Sequence, residues 1–176
     1  RSNIRRQERR CRGAGIRLAA LQDPSAQAKP LHRLLDAHYR RLNDMPFAFD
    51  DRFFHVLEPA CGDTARVYVA EKDGAPIGVQ VVLSWNATWN AAYIGFDRSR
   101  SPRDFVYFNL AFYHVIRQAI SAGCRWIDYG NTNDDIKTRQ GCKRYTTACY
   151  CKPATALQRG FLPLWFAIHR RWFGRK

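Results

Sequence analysis

The stretch RVYVAEKDGAPIGVQVVLSW, residues 66–85, decides the fold class of this chain. Two runs rich in β-branched and aromatic residues flank Lys72-Asp73-Gly74, and Asp-Gly between such runs is among the strongest short hairpin signals. A third strand candidate, TWNAAYIGF at residues 88–96, follows directly. The sequence therefore predicts a three-strand antiparallel meander at the centre of the fold.

Helical patterns lie on both sides of this meander. LHRLLDAHYRRL, residues 31–42, carries an apolar stripe at helical spacing, and a short helix is predicted around residues 52–57. The longest helical pattern is SPRDFVYFNLAFYHVIRQAISAG, residues 101–123. Ser101 suits its N-cap, Pro102 its first helical position and Gly123 its C-terminal cap.

The last third of the chain returns to short strands. RWIDYG (125–130) reads as a strand, DDIKTRQG (134–141) as a short helix and YTTACYCK (145–152) as a final strand. A sheet that begins antiparallel and later gains a strand–helix–strand crossover is a mixed α/β sheet. We therefore predict a mixed, mostly antiparallel central sheet flanked by helices.

Composition limits the possible classes of protein. The chain has 176 residues, 46% of them apolar, which is enough for one domain with a real core. No stretch approaches the roughly 20 uncharged residues of a membrane span, and no secretory signal pattern is present, so we expect a cytoplasmic protein. The six cysteines include no paired CxxC spacing and no nearby histidine, so no metal site is predicted.

The net charge of +14 is concentrated at the two ends. Residues 1–17 carry +6 and residues 137–176 carry +10, whereas the middle is close to neutral. Basic ends suggest an anionic partner, although a solvated basic face without a ligand explains them equally well. We divide the chain into a basic arm (1–17), a central domain (18–152) and a basic aromatic tail (153–176).

The two ends carry further expectations. The chain opens at Arg1 and its only methionine is Met45, so we expect a longer product with a lobe before Arg1. In the tail, Phe161, Trp165 and Trp172 share a helical stripe beside several arginines. That pattern suits a helix at the inner face of the membrane, and docking onto this domain or onto the expected lobe is the open alternative.

Four local features carry a resemblance to a known family. They are SNIRRQERR ahead of a glycine-containing break, the hairpin VAEKDGAPIGVQ, the segment SPRDFVYFNLAFYHVIRQAISAGCRWIDYG, and IKTRQGC. Together they resemble the GNAT acyltransferases, and within these the Fem-type enzymes, whose chains often carry two such domains in tandem. The resemblance covers most of residues 1–152.

The resemblance implies transfer of an acyl group to an amine. The donor would be acyl-CoA, commonly acetyl-CoA, or in the Fem branch aminoacyl-tRNA. The acceptor would be a small-molecule amine or a cell-envelope precursor, and no metal is involved. In this fold the central strand and its neighbour splay apart, and the pantetheine arm lies in the gap.

Donor-binding residues follow from this placement. The resemblance puts the pyrophosphate at the loop after the central strand, and a helix N-terminus and arginines would favour an anion there on physical grounds. Asn131 matches the family's pantetheine-contacting asparagine. The Q/R-x-x-G-x-G/A fingerprint is absent from this chain. The predicted loop residues are Arg98, Ser99, Arg100, Ser101 and Arg103.

Three residues are candidates for proton transfer. Lys137 stands where the family often has a tyrosine that protonates the leaving thiolate, and a solvated lysine is the alternative. Asp128, at the end of an apolar strand, is either the general base or an acceptor for nearby backbone. Asp97 is the rival base.

Two strand tyrosines complete the predicted site. Tyr93 and Tyr129 would line the acyl pocket, or else would only be half-buried packing residues. His114, on the long helix, is better explained as a packed histidine. The alternative function is a non-catalytic lobe of the same fold that binds nucleic acid or tRNA, a partner domain or a membrane through its basic ends.

Overall fold

The computed structural model describes residues 2–100, 105–130, 134–148 and 152–173, and it divides into two units, Arg1–Gly141 and Cys142–Lys176. The first unit contains a five-strand sheet in the order β1-β2-β3-β4-β5. Its first four strands are antiparallel neighbours and β5 is parallel to β4, which confirms the predicted mixed sheet. The strands are β1 Arg17–Leu21, β2 Ala65–Lys72, β3 Ala75–Trp85, β4 Thr88–Phe96 and β5 Trp126–Asp128.

The turn between β2 and β3 forms as predicted. Asp73 and Gly74 have φ angles of 52° and 72°, so both occupy the left-handed region that a two-residue hairpin turn with right-handed twist requires. Lys72 pairs with Ala75 across the turn. This local signal fixes the pairing next to the turn, and a one-residue register shift between Ala70 and Glu71 sets the pairing of the rest of the hairpin.

The β3–β4 pair contains one irregularity. Val81 lies opposite Tyr93 and Leu83 lies opposite Asn90, so two residues of β4 face one residue of β3. The extra residue is a β-bulge at Ala91 and Ala92, and a bulge bends the strand that contains it. The bend coincides with the end of the pairing between β4 and β5.

Helices cover both faces of the sheet. One face packs against α1 and the helical segments between β4 and β5, and the other packs against α2 and α3. Each face has its own cluster of buried apolar side chains, and each fully buried Val, Leu, Ile or Phe among them contributes about 1.5–3 kcal/mol. The helices of this unit are α1 Ser2–Gly13, α2 Ala28–Asn43, α3 Arg52–Cys61, α4 Val106–Phe108, α5 Val115–Ser121 and α6 Asp134–Arg139.

Helix α2 lies unusually close to β4. A Cβ atom added to Gly95 would come within 2.4 Å of the Leu34 carbonyl oxygen and 2.6 Å of the Leu35 amide nitrogen. Only a residue without a side chain fits between that helix backbone and the strand. The contact therefore sets the position of α2 along β4.

A buried polar network joins α1 to the segment after β4. The Tyr113 hydroxyl donates to Gln7 Oε1 at 2.5 Å, and Asn109 Nδ2 donates to the Gln7 carbonyl oxygen at 3.3 Å. All three side chains are buried. An ion pair between Arg117 and Glu8, at 2.7 Å, adds a second link. Residues 2–13 thus pack as part of the folded unit.

The helix predicted for residues 101–123 differs from the expectation. Its described part begins at Val106, after Phe105 with φ 56°, and Asn109–His114 forms a π-helical turn between α4 and α5. Such turns are rare and commonly lie at functional sites. The predicted cap at Ser101 and Pro102 lies outside the described residues.

One strand was not predicted and one predicted strand is not formed. Arg17–Leu21, for which no strand was predicted, pairs along its whole length with β2. The final strand predicted for residues 145–152 is not formed by residues 145–148, and residues 149–151 lie outside the described part. Alternating Thr and Cys side chains suit a strand, but a strand also needs a neighbour to bond its backbone.

The second unit contains one long helix, α7, at Ala156–Phe173. Pro163 lies inside it, and Phe161, Leu164 and Trp165 are each more than half exposed. Neither this helix nor any other in the described residues is both long and apolar enough to cross a membrane.

Candidate active site

The first feature of the site is a gap between β4 and β5. The two parallel strands form three pairs, of which the last joins Asn90 to Asp128. β5 ends at Asp128, whereas β4 continues to Phe96. In β4, the backbone N–H and C=O groups of every second residue point away from β3. Over residues 91–96 these N–H and C=O groups face the edge of β4 along which β5 no longer runs. Within the described residues, no strand pairs with them there.

Aromatic rings form a chain around the open edge of β4. The ring of Phe96 lies 5.1 Å from that of His38 on α2 and 5.5 Å from that of Tyr107 on α4. Tyr107 contacts Phe112 at 5.7 Å, and Phe112 stacks on Tyr129 at 4.8 Å. This chain of rings runs from α2 to Tyr129, just after β5. The π-helical turn supplies Phe112.

Two predicted catalytic residues meet at Gly130, just after β5. The Gly130 N–H donates to Asp128 Oδ1 at 2.7 Å, and Lys137 Nζ donates to the Gly130 carbonyl oxygen at 3.0 Å. Gly130 has φ 68°, so this turn needs a glycine. Lys137 is only 8% exposed, so the alternative of a solvated lysine was wrong.

Asp97 organises the loop after β4. Its Oδ1 atom accepts bonds from the Ser99 hydroxyl at 2.6 Å, the Ser99 N–H at 2.8 Å and the Arg100 N–H at 3.4 Å. The Ser99 hydroxyl bond is the main reason why the pKa of Asp97 is lowered from its ordinary value. A lowered pKa makes this carboxylate a weak base, so its position suits loop structure better than catalysis.

The two arginines of this loop that were predicted to bind phosphate make different contacts. Arg100 donates to the Lys72 carbonyl oxygen at 3.2 Å and so is anchored to the β2–β3 hairpin. Arg98 is exposed, and its guanidinium lies 5.6 Å from the centre of the Phe96 ring. Three further predicted ligands, Ser101, Arg103 and Asn131, lie outside the described residues.

The structure separates the two predicted pocket tyrosines. Tyr93 packs within a cluster of aromatic rings at 5.2–6.1 Å, on the α2 and α3 face. Tyr129 stacks on Phe112, which belongs to the segment on the other face. The rings around Tyr93 are those of Phe47, Phe49 and Phe53.

His114 is a packed histidine, as the sequence predicted, whereas the position of His38 beside Phe96 was not predicted. His114 packs 5.0 Å from Tyr68, and burial, followed by Arg117, lowers its pKa. His38 is buried against Phe96, and its pKa is lowered to about 4, first by burial, then by Arg41 and Arg98. Its position three residues after Leu35 on the apolar stripe of α2 was the available signal. Among the described residues, no group of His, Cys, Asp or Glu is arranged to hold a metal ion.

Known proteins share this architecture. The family profile described as an acetyltransferase (GNAT) domain matches residues 1–138. Among solved structures, an aminoglycoside acetyltransferase from an uncultured soil metagenomic sample, in complex with trehalose, superposes with a TM-score of 0.57 at 12% identity, covering 78% of this chain and 96% of that one. No curated protein sequence matches significantly.

Two Brucella melitensis structures show the same likeness. A ribosomal-protein-alanine N-acetyltransferase of biovar Abortus gives a TM-score of 0.57 at 13% identity, covering 80% of this chain and 99% of that one. A GNAT family acetyltransferase in complex with acetyl-CoA gives 0.53 at 14% identity, covering 74% and 84%. At such identities the likeness shows a shared fold.

Proposed function

Because the chain belongs to the GNAT acetyltransferase family, we propose that it transfers an acetyl group from acetyl-CoA to a primary amine. The observation that carries this proposal is the gap between β4 and β5. It leaves backbone groups of β4 unpaired by a strand beside an aromatic lining, which suits an extended arm with amide groups and a thioester.

The donor supplies an activated thioester carbonyl. We assign its binding to peptide N–H groups of residues 93–96 that point into the gap, because preorganised donors stabilise the charge that develops on the carbonyl oxygen. A Brucella relative of the same fold was solved with acetyl-CoA, which supports this donor. Ser101, Arg103 and Asn131 stay predictions for its remaining contacts.

Asp128 is the proposed general base. It lies at the last β4–β5 pair, where the gap begins, and its Oδ1 atom holds the Gly130 N–H. We assign to Oδ2 the role of accepting the proton that the amine loses. Lys137, buried and bonded to the Gly130 carbonyl oxygen, would donate a proton to the leaving thiolate.

The test compares Asp128→Asn with Asp63→Asn, a change at an exposed aspartate on a separate 3₁₀ turn. Asparagine keeps the Oδ1 acceptor for Gly130 but cannot take a proton. We expect kcat to fall by about 10²–10⁴-fold in Asp128→Asn, with unchanged thermal unfolding and normal activity in the control. Full activity of Asp128→Asn would leave Asp128 only its role in the turn.

For the acceptor, we propose the reacting group, a primary amine, and not a particular molecule. One relative is an aminoglycoside acetyltransferase and another acetylates a ribosomal-protein alanine. A first panel should therefore contain an aminoglycoside and a peptide with N-terminal alanine, with thiol release from acetyl-CoA as the readout. A cell-envelope precursor, a cytoplasmic location, the Fem-type likeness and a tail on the membrane stay predictions.

The outer face of α1 favours a second candidate. Gln7 and Cys11 are buried on one side of this helix, whereas its five arginines after Arg1 are all exposed. A row of guanidinium groups suits a polyphosphate chain, either the tRNA of an aminoacyl donor or a nucleic acid bound without chemistry. The test is tRNA binding between 50 and 200 mM salt. Loss of two arginines, as in Arg5→Gln/Arg9→Gln, should weaken binding and reduce its salt dependence, and salt-independent binding would contradict this candidate.

A further inference from the structure

We propose that Trp85 and Trp126 form a platform that binds the amine acceptor, and that this acceptor is a short chain of uncharged sugars with one amino sugar at its end. This inference rests on the proposed function and adds the chemical class of its acceptor. The platform consists of Trp85, Thr88 and Trp126, three exposed side chains in one row across the sheet.

The proposed general base faces the side of the sheet that packs against α2 and α3. Ile127 and Trp89 pack with the cluster on the other face, and neighbouring side chains of a strand point to opposite faces. Asp128 follows Ile127 and pairs with Asn90, which follows Trp89. The side chains of Asn90 and Asp128 therefore lie next to each other on the α2 and α3 face.

Two tryptophans lie on this same face, in the row before that pair. Trp126 is two residues before Asp128 in β5, a separation of about 7 Å along the strand. Thr88 pairs with Trp126 on one side and with Trp85 on the other, and paired residues share a face. The Cα atoms of the two tryptophans are thus two strand spacings, or about 10 Å, apart.

The platform is open to solvent. Trp85 is 78% exposed and Trp126 is 68% exposed, and Thr88 and Asn90 are exposed as well. Tryptophan side chains are mostly buried in folded proteins, and apolar groups that are exposed together commonly mark a binding surface. Because this surface adjoins Asp128, the ligand that fits the proposed function is the amine acceptor.

The charges around the platform limit the kind of acceptor. Trp85, Thr88, Trp126 and Asn90 are all uncharged, and Asp128 is the one carboxylate among these five side chains. An amine is attracted to Asp128, whereas a phosphate or a second ammonium group would meet no opposite charge on the platform. The body of the acceptor is therefore uncharged.

Sugar rings match this surface better than a peptide or an alkyl chain. A pyranose ring has an apolar face of C–H groups, which packs on an indole, and a rim of hydroxyls, which bonds to groups such as the Thr88 hydroxyl and the Asn90 amide. Peptides are commonly bound at a strand edge or in pockets for their side chains, and the flat face of a sheet supplies neither. An alkyl chain makes no hydrogen bond to Thr88 or Asn90. Two linked sugar rings span about the distance between the two indoles.

The reaction at the amino sugar is the proposed acetyl transfer. The amine nitrogen forms a bond to the acetyl carbon, and the bond between that carbon and the sulfur of CoA breaks. The proton that the nitrogen loses passes to Asp128, and Lys137 donates a proton to the leaving thiolate. The product is an N-acetylated sugar at the end of the chain.

The experiment measures transfer from acetyl-CoA by the full chain to acceptors of increasing length. They are glucosamine, glucosamine β-1,4-linked to one N-acetylglucosamine, and glucosamine linked to two. The proteins are the wild type, Trp85→Ala, Trp126→Ala and Ile120→Ala. Ile120 is 71% exposed on α5, which packs on the opposite face, and it serves as the matched control.

We expect the wild-type kcat/KM to be about 10-fold higher for the trimer than for glucosamine, because a tryptophan in a binding surface commonly contributes this much. In Trp85→Ala the ratio of trimer to glucosamine should fall towards one, whereas Ile120→Ala should keep the wild-type ratio. Both platform tryptophans are exposed, so their variants should unfold at the wild-type temperature.

Three outcomes overturn the proposal. A wild-type ratio near one would show that the sugars beyond the first are not bound. A wild-type ratio in both Trp85→Ala and Trp126→Ala would show that the indoles do not bind them. A sugar ratio near one, together with a loss of activity towards a peptide with N-terminal alanine in Trp85→Ala, would assign the row to a polypeptide acceptor.

Direct binding separates this inference from the proposed function. The trimer of N-acetylglucosamine has no free amine, so its binding is followed without turnover by calorimetry and by tryptophan fluorescence. If it binds the wild type, binding is lost in Trp85→Ala and no amine is acetylated, the platform stands and the proposed function fails. If the three acceptors are acetylated equally well, the proposed function stands and the platform fails.

Discussion

Replacing Gly95 with alanine tests the contact that positions α2. The added methyl would lie 2.4 Å from the Leu34 carbonyl oxygen and 2.6 Å from the Leu35 nitrogen, whereas ordinary contacts of this kind begin near 3.4 Å. Both obstacles are helix backbone, so no side-chain rotation can relieve the clash. The helix must move away from β4 by about 1 Å, through a closely packed core.

The expected cost follows from that displacement. Overpacking a rigid core costs about 1–3 kcal/mol, and a backbone obstacle places this substitution at the upper end. A loss of about 3 kcal/mol corresponds to a fall in Tm of roughly 6–12 °C for a chain of this length. The assay is urea unfolding at 25 °C together with thermal unfolding followed by circular dichroism.

Two further glycines calibrate the result. In Gly78→Ala the added methyl lies 3.1 Å from the Leu110 side chain, which can move. The loss of unfolding free energy should therefore be smaller than in Gly95→Ala. Gly13→Ala meets nothing within 4 Å and should leave stability nearly unchanged. If Gly95→Ala were within 0.5 kcal/mol of the wild type, the proposed close approach of α2 and β4 would be refuted.

Two other predictions concern buried polar groups. Tyr113→Phe removes the donor to Gln7 Oε1 and should cost about 1–3 kcal/mol in urea unfolding, because a buried acceptor is left unbonded. Adding Gln7→Leu should recover part of that loss, and strictly additive costs would contradict the bond. The folded pKa of His38, about 4, lies below its ordinary 6.5, so the unfolded chain binds the extra proton between these values and stability falls as pH falls. The loss is at most about 3 kcal/mol between pH 7 and pH 4, and His38→Phe should flatten the curve, whereas parallel curves for the two proteins would contradict this.

Local signals predicted the centre of the fold well. The Asp73-Gly74 turn needs two left-handed residues, and few sequences other than Asp-Gly or Asn-Gly supply them. The apolar stripe of α2 likewise follows from helical periodicity alone. Features of this kind depend on neighbours along the chain, so the sequence contains the information directly.

Features that depend on distant partners were missed. β1 is a five-residue segment whose backbone bonds all come from β2, about 50 residues away. The π-helical turn coincides with Asn109 and Tyr113, whose partner Gln7 is about 100 residues distant. Neither relation leaves a periodic trace in the sequence.

The site was only partly predictable for the same reason. Asp128 and Lys137 were chosen from their places along the chain, but their shared attachment to Gly130 depends on how the turn folds. His38 resembled any polar residue at the edge of a helical stripe. Its contact with Phe96 becomes visible only when α2 is packed on β4.

The bulge at Ala91 and Ala92 changes which side chains of β4 lie on which face of the sheet. After the bulge, odd-numbered residues lie on the face that even-numbered residues occupy before it. Trp89 belongs to the cluster beneath α5, and strict alternation would send Tyr93, four residues later, to the same side. Tyr93 instead packs with Phe47 on the other side, because one extra residue has been inserted between them. Deleting either alanine would restore the alternation, and every later side chain of β4 would then lie on the opposite face of the sheet. The face of the sheet on which each side chain after the bulge lies is thus determined by the length of a single strand.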